Sequence, residues 1–103
     1  MDKKRVIDII HNFKTILEKE NICDPKIILF GSHFEGTQRD DSDIDLIIIS
    51  ESFKGMDFWK RQEILVDAIS EIFEPIEAFA VTPEEWENED YTIISYAKKG
   101  QYY

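Results

Sequence analysis

The chain has 103 residues, and its 22 acidic and 12 basic side chains give it a formal net charge of −10. This length suits a single domain spanning residues 1–103, and a hydrophobic fraction of 43% with 13% aromatic residues exceeds that of a disordered acidic tail. Because nucleic-acid affinity comes mostly from lysine and arginine, so acidic a chain is a poor candidate for direct nucleic-acid binding.

Cysteine content and hydropathy limit the compartment and the kind of site. Cys23 is the only cysteine, so the chain can form no internal disulfide, and no spacing of Cys and His residues resembles a zinc site. No run of about 18 apolar residues is present, so the sequence predicts no membrane-spanning segment. Together these features predict a cytoplasmic protein.

The first half of the chain is predicted to form a helix followed by two buried strands. Apolar residues recur at helical spacing over about residues 4–20, which predicts an amphipathic helix. The continuous apolar run Lys26–Phe30 ends at Gly31, and residues 43–49 form a second such run after a polar stretch. Short apolar runs that are rich in β-branched residues are typical of buried strands.

The second half is predicted to begin with a long helix and a third strand. Helical periodicity extends over about residues 57–73, with Phe58 and Phe73 on the predicted inner face, and Pro75 ends the helix. Residues 75–81, Pro75 to Val81, follow and are predicted to form the third strand.

Two short helices are predicted after the third strand. Thr82 precedes Pro83, and a glutamate stands three residues after the threonine, so a short helix is predicted to begin at Pro83. Asp90 is predicted to cap a last helix over residues 91–99, which Gly100 ends. The order of elements predicts an α+β fold (α/β mixed), with a mixed sheet of three to four strands packed with helices.

A pair of carboxylates stands at the start of the second predicted strand. Asp43 and Asp45 are separated by one residue, and because side chains alternate along a strand, both are expected to project from the same face. Carboxylates held this close repel each other unless a cation lies between them. Oxygen ligands of this kind suit Mg²⁺ or Mn²⁺, which also coordinate substrate phosphates.

Gly31 and Ser32 follow the first predicted strand. A glycine at this point lets the backbone approach a ligand closely, and the N–H groups of the following turn, with the Ser32 hydroxyl, can bind a phosphate. A phosphate-binding turn combined with a metal-binding carboxylate pair is what an enzyme acting on a nucleoside triphosphate needs.

The segment from Gly31 to Asp45 resembles a known family. Gly31-Ser32, ten intervening residues and then Asp43-Ile44-Asp45 form the pattern of the polymerase-β-like nucleotidyltransferases. The local sequence GSHFEG…SDIDLIII is similar to the minimal nucleotidyltransferase (MNT) branch, and the resemblance covers nearly the whole chain. It implies a small polymerase-β-like nucleotidyltransferase fold.

The resemblance also implies the roles of individual residues. In the family, two aspartates on one strand and a third carboxylate on a neighbouring strand bind the metal ions, which matches Asp43, Asp45 and the predicted-strand acid Glu77. Two Mg²⁺ ions are implied, with Mn²⁺ as a substitute, and Glu77 also serves as the base for the attacking hydroxyl. Gly31 and Ser32 are implied to bind the nucleotide phosphates.

Two features depart from the family pattern. Glu77 stands where the family more often has an aspartate. His33 and Glu35 follow Gly-Ser, where relatives commonly carry basic residues. Either the phosphate contacts are weaker here, or Arg39 or Lys26 supplies the missing positive charge.

The activity implied by the resemblance is transfer of AMP from ATP to a hydroxyl, with release of pyrophosphate. Minimal nucleotidyltransferases of this type are commonly encoded beside a HEPN-domain toxin, and as MntA-like antitoxins of type VII pairs they adenylylate a toxin tyrosine. A protein adenylyltransferase that assembles with a HEPN partner is therefore expected. Two alternatives stand beside it: a catalytically degenerate partner of a HEPN protein, and a small-molecule nucleotidyltransferase of the aminoglycoside-modifying kind.

Overall fold

A computed structural model describes residues 2–89 and 91–103 of the chain. Its strands are β1 (Lys26–Phe30), β2 (Ile44–Ile49), β3 (Ile76–Val81) and β4 (Gln101–Tyr102). Its helices are α1 (Lys3–Lys19), α2 (Ser32–Glu35), α3 (Phe58–Ile72), α4 (Pro83–Trp86) and α5 (Thr92–Ala97), and a 3₁₀ turn spans Glu51–Phe53. Within the described residues, no helix is both long and apolar enough to cross a membrane.

The four strands form one mixed sheet in the order β3-β2-β1-β4. β1 pairs antiparallel with β2 and with β4, whereas β2 pairs parallel with β3. Parallel neighbours need a crossover connection, and α3 supplies it between β2 and β3. The predicted fold class, an α+β fold with a mixed sheet of up to four strands, is confirmed.

One face of the sheet, which we call the closed face, is covered by α1 and α3. The apolar stripe of α1 packs there against alternate residues of β1, β2 and β3. The largest side chains of this core that are fully buried include Phe13, Ile10, Leu17, Leu46 and Ile48. Burial of this stripe, rather than intrinsic helix propensity, accounts for most of the stability of such a helix.

The opposite face, which we call the open face, is covered only in part by α4 and α5. Trp86 and Ile94 pack there with Phe30 and with the other alternate residues of the strands. Near the starts of β2 and β3, Asp45 is half-buried and Glu77 is exposed. Solvent therefore reaches this end of the open face.

Most of the predicted elements are confirmed to within one or two residues. The helix over 4–20, the strand Lys26–Phe30, the strands over 43–49 and 75–81 and the helix over 57–73 correspond to α1, β1, β2, β3 and α3. At α4 the predicted cap is also present. The Glu85 amide donates to Thr82 Oγ1 at 3.1 Å, and the Thr82 amide donates to Glu85 Oε1 at 2.7 Å.

Two short elements, α2 and β4, are not predicted from the sequence. α2 has four residues, too few to show a helical period, and it begins the stretch that is predicted to be an irregular polar loop. β4 exists because the end of the chain pairs with β1: Ile27 N donates to Tyr103 O at 3.2 Å, and Tyr103 N donates to Ile27 O at 2.7 Å. This pairing joins residues that are far apart in the sequence, so no local sequence pattern predicts it.

The last helix is shorter than predicted, and Gly100 serves a different purpose. α5 spans Thr92–Ala97 instead of residues 91–99, and the predicted cap Asp90 lies outside the described residues. Gly100 is not among the residues with positive φ, so it is not the left-handed C′ residue that the prediction requires. A Cβ at this position would collide with the Leu29 carbonyl oxygen, so the glycine permits the close approach of the chain to β1.

Two aromatic residues that are predicted to face the core from α3 are exposed instead. Phe58 is 56% exposed and Phe73 is 90% exposed, whereas Leu65 and Ala68 are buried. Phe73 is the C-cap of α3 and adopts the left-handed conformation with φ of 54°. A residue in this conformation no longer follows the helical period, so its side chain leaves the buried stripe.

Candidate functional site

The predicted site residues lie on the open face, in a row that crosses three adjacent strands. Asp45 of β2 is paired in register with Phe30 of β1 and with Glu77 of β3. Directly paired residues project from the same face of a sheet, so Asp45 lies between the Gly31 turn on one side and Glu77 on the other. Neighbouring strands are about 4.8 Å apart, so the row is about 10 Å long.

The turn at Gly31 packs directly against Asp45. Gly31 has a φ of +76°, and a Cβ built on it would collide with the Asp45 carboxylate. Glycine adopts this conformation at little steric cost and carries no Cβ. The structure therefore gives Gly31 a close neighbour within the protein, the Asp45 carboxylate, and the predicted approach of a phosphate to Gly31 stays a prediction.

Helix α2 begins immediately after this turn. The amides of Phe34 and Glu35 donate to the Gly31 carbonyl oxygen at 3.1 and 2.9 Å. The amides of Ser32 and His33 come before them, and these are the donors that the first turn of a helix leaves without an intrahelical acceptor. An anionic group at this end of the row would meet those amides and the Ser32 hydroxyl.

The first aspartate of the motif follows a closed turn. The Ser42 amide donates to the Arg39 carbonyl oxygen at 3.0 Å, and the Arg39 amide donates to Ser42 Oγ at 2.8 Å. His33 Nε2 lies 3.3 Å from the Ser42 carbonyl oxygen and links α2 to the turn. These contacts position Asp43, which is exposed, beside the start of β2.

The electrostatics of the row are dominated by carboxylates. Partial burial is the largest cause that raises the pKa of Asp45, and the negative charges of Glu77 and Asp43 raise it further, while His33 acts in the opposite direction. The pKa of Asp45 therefore lies above its ordinary value. Both neighbouring acids are close enough to oppose its ionisation, and a bound cation would relieve that repulsion.

The chemistry of these donors suits a hard divalent cation. All three acids offer only oxygen ligands, which Mg²⁺ and Mn²⁺ prefer. In residues 2–89 and 91–103, no three His, Cys, Asp or Glu side chains already form a metal-binding cluster. Mg²⁺ commonly uses one or two carboxylates together with water and substrate phosphates. The residues present therefore fit a metal that binds together with a nucleotide.

Tyr96 of α5 also borders the row, although no motif in the sequence marks it. Its hydroxyl donates to Glu35 Oε2 at 2.8 Å, and its ring packs edge-on against Phe30 with centroids 5.8 Å apart. The hydrogen bond to Glu35 is the main cause that raises the pKa of Tyr96, and the charge of Asp45 adds to it. The available signal was an aromatic residue lying outside the buried apolar stripe of α5.

The basic residues are arranged differently from the sequence expectation. Lys26 and Gly31 lie at opposite ends of β1, about 17 Å apart at the usual rise of a strand. Lys26 is therefore too far away to contact a phosphate at the turn, and that alternative is wrong. Arg39 lies in the turn before the first aspartate. Lys99, which no motif in the sequence marks, lines a small cleft together with Gly31 because the end of the chain pairs with β1.

Two similarities to known proteins bear on this arrangement. The family model described as the nucleotidyltransferase domain matches residues 10–103 of the chain. The crystal structure of a candidate nucleotidyltransferase from Sulfolobus solfataricus is 22% identical, and the match covers 82% of this chain and 79% of the other, with a TM-score of 0.54. At that identity the likeness concerns the fold alone. No curated protein sequence is significantly similar to the chain.

Proposed function

The chain belongs to the nucleotidyltransferase domain family, and we propose that it transfers AMP from ATP to a hydroxyl group in an Mg²⁺-dependent reaction. Membership of the family supports nucleotidyl transfer, and nucleotidyltransferase domains generally use divalent metals. The observation that carries the proposal is the packing of the Gly31 turn against the Asp45 carboxylate. In the proposal, the Gly31 turn binds the phosphates and the Asp45 oxygen atoms bind the metal ion, and a triphosphate with its metal ion requires such neighbours.

In this proposal the outer phosphates bind at the Gly31 end of the row. The amides of Ser32 and His33 and the hydroxyl of Ser32 donate to phosphate oxygens, as successive backbone N–H groups of a turn can do. Lys99 and Glu35 both line the adjoining cleft, and Lys99 is its one basic lining residue. These donors offset part of the repulsion between the phosphates and the acidic row.

Asp43, Asp45 and Glu77 are the residues that would hold two Mg²⁺ ions, with Mn²⁺ as a substitute. When bound, the ions neutralise charge on the phosphates and lower the pKa of the attacking hydroxyl. Asp45 would be shared by the two ions, because Glu77 is its direct neighbour on β3 and Asp43 precedes it by two residues in the chain. Because unscreened carboxylates repel a nucleotide, we expect ATP binding to depend on the divalent cation.

Glu77 acts at the end of the row that is farthest from Gly31. The acceptor oxygen forms a bond to the α-phosphorus of ATP while the bond from that phosphorus to the pyrophosphate oxygen breaks. Glu77 accepts the hydroxyl proton and passes it to water, and pyrophosphate leaves from the Gly31 end. Asp45 keeps the nucleotide and the acceptor aligned for this in-line attack.

For the biological role we propose a cytoplasmic antitoxin that adenylylates a tyrosine of a HEPN-domain toxin and forms a complex with it. The support is the resemblance of the segment from Gly31 to Asp45 to the minimal nucleotidyltransferase branch. The net charge of −10 also suits docking onto a basic partner that cleaves RNA.

A second candidate is an inactive binding partner of the same toxin. Two observations favour it: Glu77 replaces the more common aspartate, and the described residues contain no ready-formed metal cluster. Such a protein would bind the toxin without consuming ATP.

The experiment is a transfer assay with ATP labelled at the α-phosphate, Mg²⁺ and the protein product of the neighbouring gene. Asp45→Asn keeps the shape of the side chain but removes the central charge, and we expect its rate to fall by about 10³-fold or more, equivalent to several kcal/mol of transition-state stabilisation. Asp41→Asn makes the same change in the exposed loop outside the row and should retain the wild-type rate.

The outcomes separate the two candidates. Transfer that chelation with EDTA abolishes, and that Asp45→Asn loses, supports the enzyme. Binding of the partner with no transfer by any version supports the inactive binding partner. Full activity of a Glu77→Gln variant would remove Glu77 from the role of base while leaving the rest of the proposal in place.

A further inference from the structure

Helix α3 has exposed apolar side chains outside the stripe that it buries in the closed core. Trp59 is 76% exposed and Val66 is 58% exposed. The two residues are seven positions, or about two turns, apart, so they lie on the same side of the helix. Phe73 ends the helix a further seven positions along and is 90% exposed. We call Trp59, Val66 and Phe73 the outer stripe.

Phe73 is both strained and exposed. It is the C-cap of α3 and adopts the left-handed conformation, with φ of 54° and ψ of 37°. Helix ends in this conformation usually have glycine, because a bulky side chain is disfavoured there. A strained residue of this kind commonly marks a functional contact, and an aromatic ring that faces solvent at such a position indicates a contact with another molecule.

The outer stripe has the same pattern in both directions along α3. Val66 lies midway between Trp59 and Phe73, so an aromatic ring stands seven positions away on each side. A two-fold interface requires a surface that is complementary to itself. When a second α3 lies antiparallel across the first at Val66, each Trp59 faces Phe73 of the other copy. The stripe therefore suits a second copy of the same chain.

Charged residues on one side of the stripe favour the antiparallel direction. Lys60 lies in the first half of α3, whereas Asp67 and Glu71 lie in the second half. An antiparallel pair brings Lys60 of one copy alongside Glu71 of the other, and a parallel pair would bring like charges together.

An acidic cluster at the end of α1 adds to this preference. Partial burial, followed by the charges of Glu71 and Asp67, raises the pKa of Glu20. The three acids are therefore close enough to repel each other, and a lysine from a second copy would reduce that repulsion. Within one copy Lys60 lies eleven positions from Glu71, or about 16 Å along the helix, so it does not contact Glu71 there.

The exposed apolar area is sufficient for a homodimer of ordinary size. Phe58 packs edge-on against Trp59 with ring centroids 5.1 Å apart and extends the apolar surface. With aromatic side chains offering about 150–250 Å² each, Phe58 and the outer stripe expose roughly 500 Å² per copy. A standard interface buries about 800 Å² per partner, of which about 65% is apolar in homodimers. The two areas agree.

From this surface we infer that two copies of the chain associate through the outer stripe, with their α3 helices antiparallel about Val66. The contact lies on a helix that covers the closed face, so the row of acids on the open face stays accessible. The inference does not rest on the proposed function. Each copy carries a net charge of −10, which opposes association and makes it weak at low salt.

Sedimentation velocity over a range of protein concentrations tests the association. The wild type should show a reversible monomer–dimer equilibrium with a Kd in the micromolar range. The Kd should fall several-fold between about 50 mM and about 500 mM NaCl, because salt screens the repulsion between the copies. Trp59→Ser and Val66→Asp should each raise it about tenfold or more. The control Tyr91→Ser removes a ring that is 54% exposed at the start of α5, and it should dimerise like the wild type.

Phe73→Gly separates association from folding. Glycine suits a φ of 54°, so the monomeric variant should melt at a temperature no lower than that of the monomeric wild type. Its dimer Kd should nevertheless rise about tenfold, because the aromatic ring is lost. Circular dichroism identifies any variant that is unfolded, and the remaining stripe variants then carry the comparison.

A charge exchange tests the pairing of the two halves of α3. Lys60→Glu and Glu71→Lys should each raise the Kd about threefold. The chain with both substitutions should regain the wild-type Kd, because each new charge again lies alongside an opposite one in the antiparallel pair. Additive losses in the double variant would contradict this pairing.

Engineered cysteines test the direction of the helices. All variants carry Cys23→Ser, which removes the exposed native cysteine. Under a mild oxidant, Val66→Cys should form a disulfide-linked dimer, because a residue on a two-fold axis meets its own copy. A mixture of Trp59→Cys and Phe73→Cys proteins should form linked dimers several-fold faster than either protein alone. Tyr91→Cys is the control for random collision.

Each outcome decides the question. A chain that stays monomeric into the millimolar range at high salt overturns the inference, and so does a dimer that the stripe variants leave unchanged. Trp59→Cys and Phe73→Cys proteins that each link only to themselves also overturn it, because they indicate parallel helices. A stripe that binds the product of the neighbouring gene while the chain itself stays monomeric overturns it as well. Asp45→Asn should dimerise like the wild type, so loss of AMP transfer leaves the inference standing.

Discussion

The two faces of the sheet are built from the same strands but differ in how they are covered. On the closed face, alternate residues of β1, β2 and β3 meet α1 and α3 and form a continuous buried core. On the open face, the intervening residues of those strands form a smaller core under α4 and α5, which ends at Asp45 and Glu77. Helices cover the closed face along its length, whereas the helix cover of the open face ends before Asp45 and Glu77.

This difference separates stability from ligand access within a small chain. Because a strand sends successive side chains to opposite faces, β2 buries Leu46 and Ile48 in the closed core while presenting Asp45 on the open side. The closed core can hold the strands in register without occupying the site. Substitutions on the two faces should therefore have different consequences.

The largest expected effect is on the closed face. Phe13 of α1 is fully buried in the closed core, and Phe13→Ala should lower the free energy of unfolding by about 3–5 kcal/mol because it leaves a cavity. Phe58→Ala removes the same kind of side chain from the start of α3, where it is 56% exposed, and should cost less than about 1 kcal/mol. Urea denaturation of both variants measures the contrast, and equal losses would contradict the role of the closed core as the main source of stability.

The turn at Gly31 should show the next largest effect. Gly31→Ala adds a Cβ at a φ of +76° and against the Asp45 carboxylate, and it should cost about 2–3 kcal/mol of stability. In the double variant with Asp45→Gly the obstructing carboxylate is absent, so the cost of the alanine should fall by about 1 kcal/mol. Strictly additive costs in this double-mutant cycle would show that backbone strain alone is responsible.

A smaller loss of stability is expected when the ion pair between Arg61 and Glu85 is removed. Burial tends to raise the pKa of Glu85, but the hydrogen bonds and charge of Arg61 and the Thr82 amide outweigh it and lower that pKa below its ordinary value. A carboxyl group with a lowered folded-state pKa stabilises the fold above its ordinary pKa, and the contribution is lost as the pH falls through the lowered value.

Glu85→Gln should therefore cost about 1 kcal/mol at neutral pH, and thermal melts of variant and wild type should converge as the solution becomes acidic. Glu84→Gln is the control on the same helix, since its ion pair with Lys54 spans 3.8 Å between exposed side chains and should contribute little. A difference for Glu85→Gln that persists unchanged in acid would contradict the electrostatic explanation.

The smallest expected effect concerns Asp45, where a substitution should raise stability instead of lowering it. The pKa of Asp45 is raised in the folded protein, mainly by burial and then by the charges of Glu77 and Asp43. A carboxyl group with a raised folded-state pKa favours the fold below its ordinary pKa, and that advantage disappears as the pH rises through the raised value. At neutral pH the charged Asp45 therefore destabilises the protein.

Asp45→Asn should accordingly raise stability at neutral pH, by less than about 1 kcal/mol because solvent screens part of the repulsion, with no gain in acid. Mg²⁺ should raise the melting temperature of the wild type more than that of the variant. An Asp45→Asn protein less stable than the wild type at neutral pH would show that the carboxylates do not repel each other.

Much of this architecture follows from local sequence patterns. The spacing of apolar residues in α1, the continuous runs of β1 and β2 and the cap at Thr82 each act within a few residues, so they can be recognised without tertiary information. The motif from Gly31 to Asp45 is equally local, and it indicated the family to which the chain belongs.

The surroundings of that motif, in contrast, depend on how the elements pack together. Lys99 reaches the Gly31 cleft because the end of the chain pairs with β1, and Tyr96 borders the row because α5 lies across the open face. Phe58 of α3, Phe79 of β3 and Ile93 of α5 line one apolar groove, although these elements are distant in sequence. Their meeting depends on sheet order and on which face each helix covers, and these long-range contacts leave no periodic trace in the sequence.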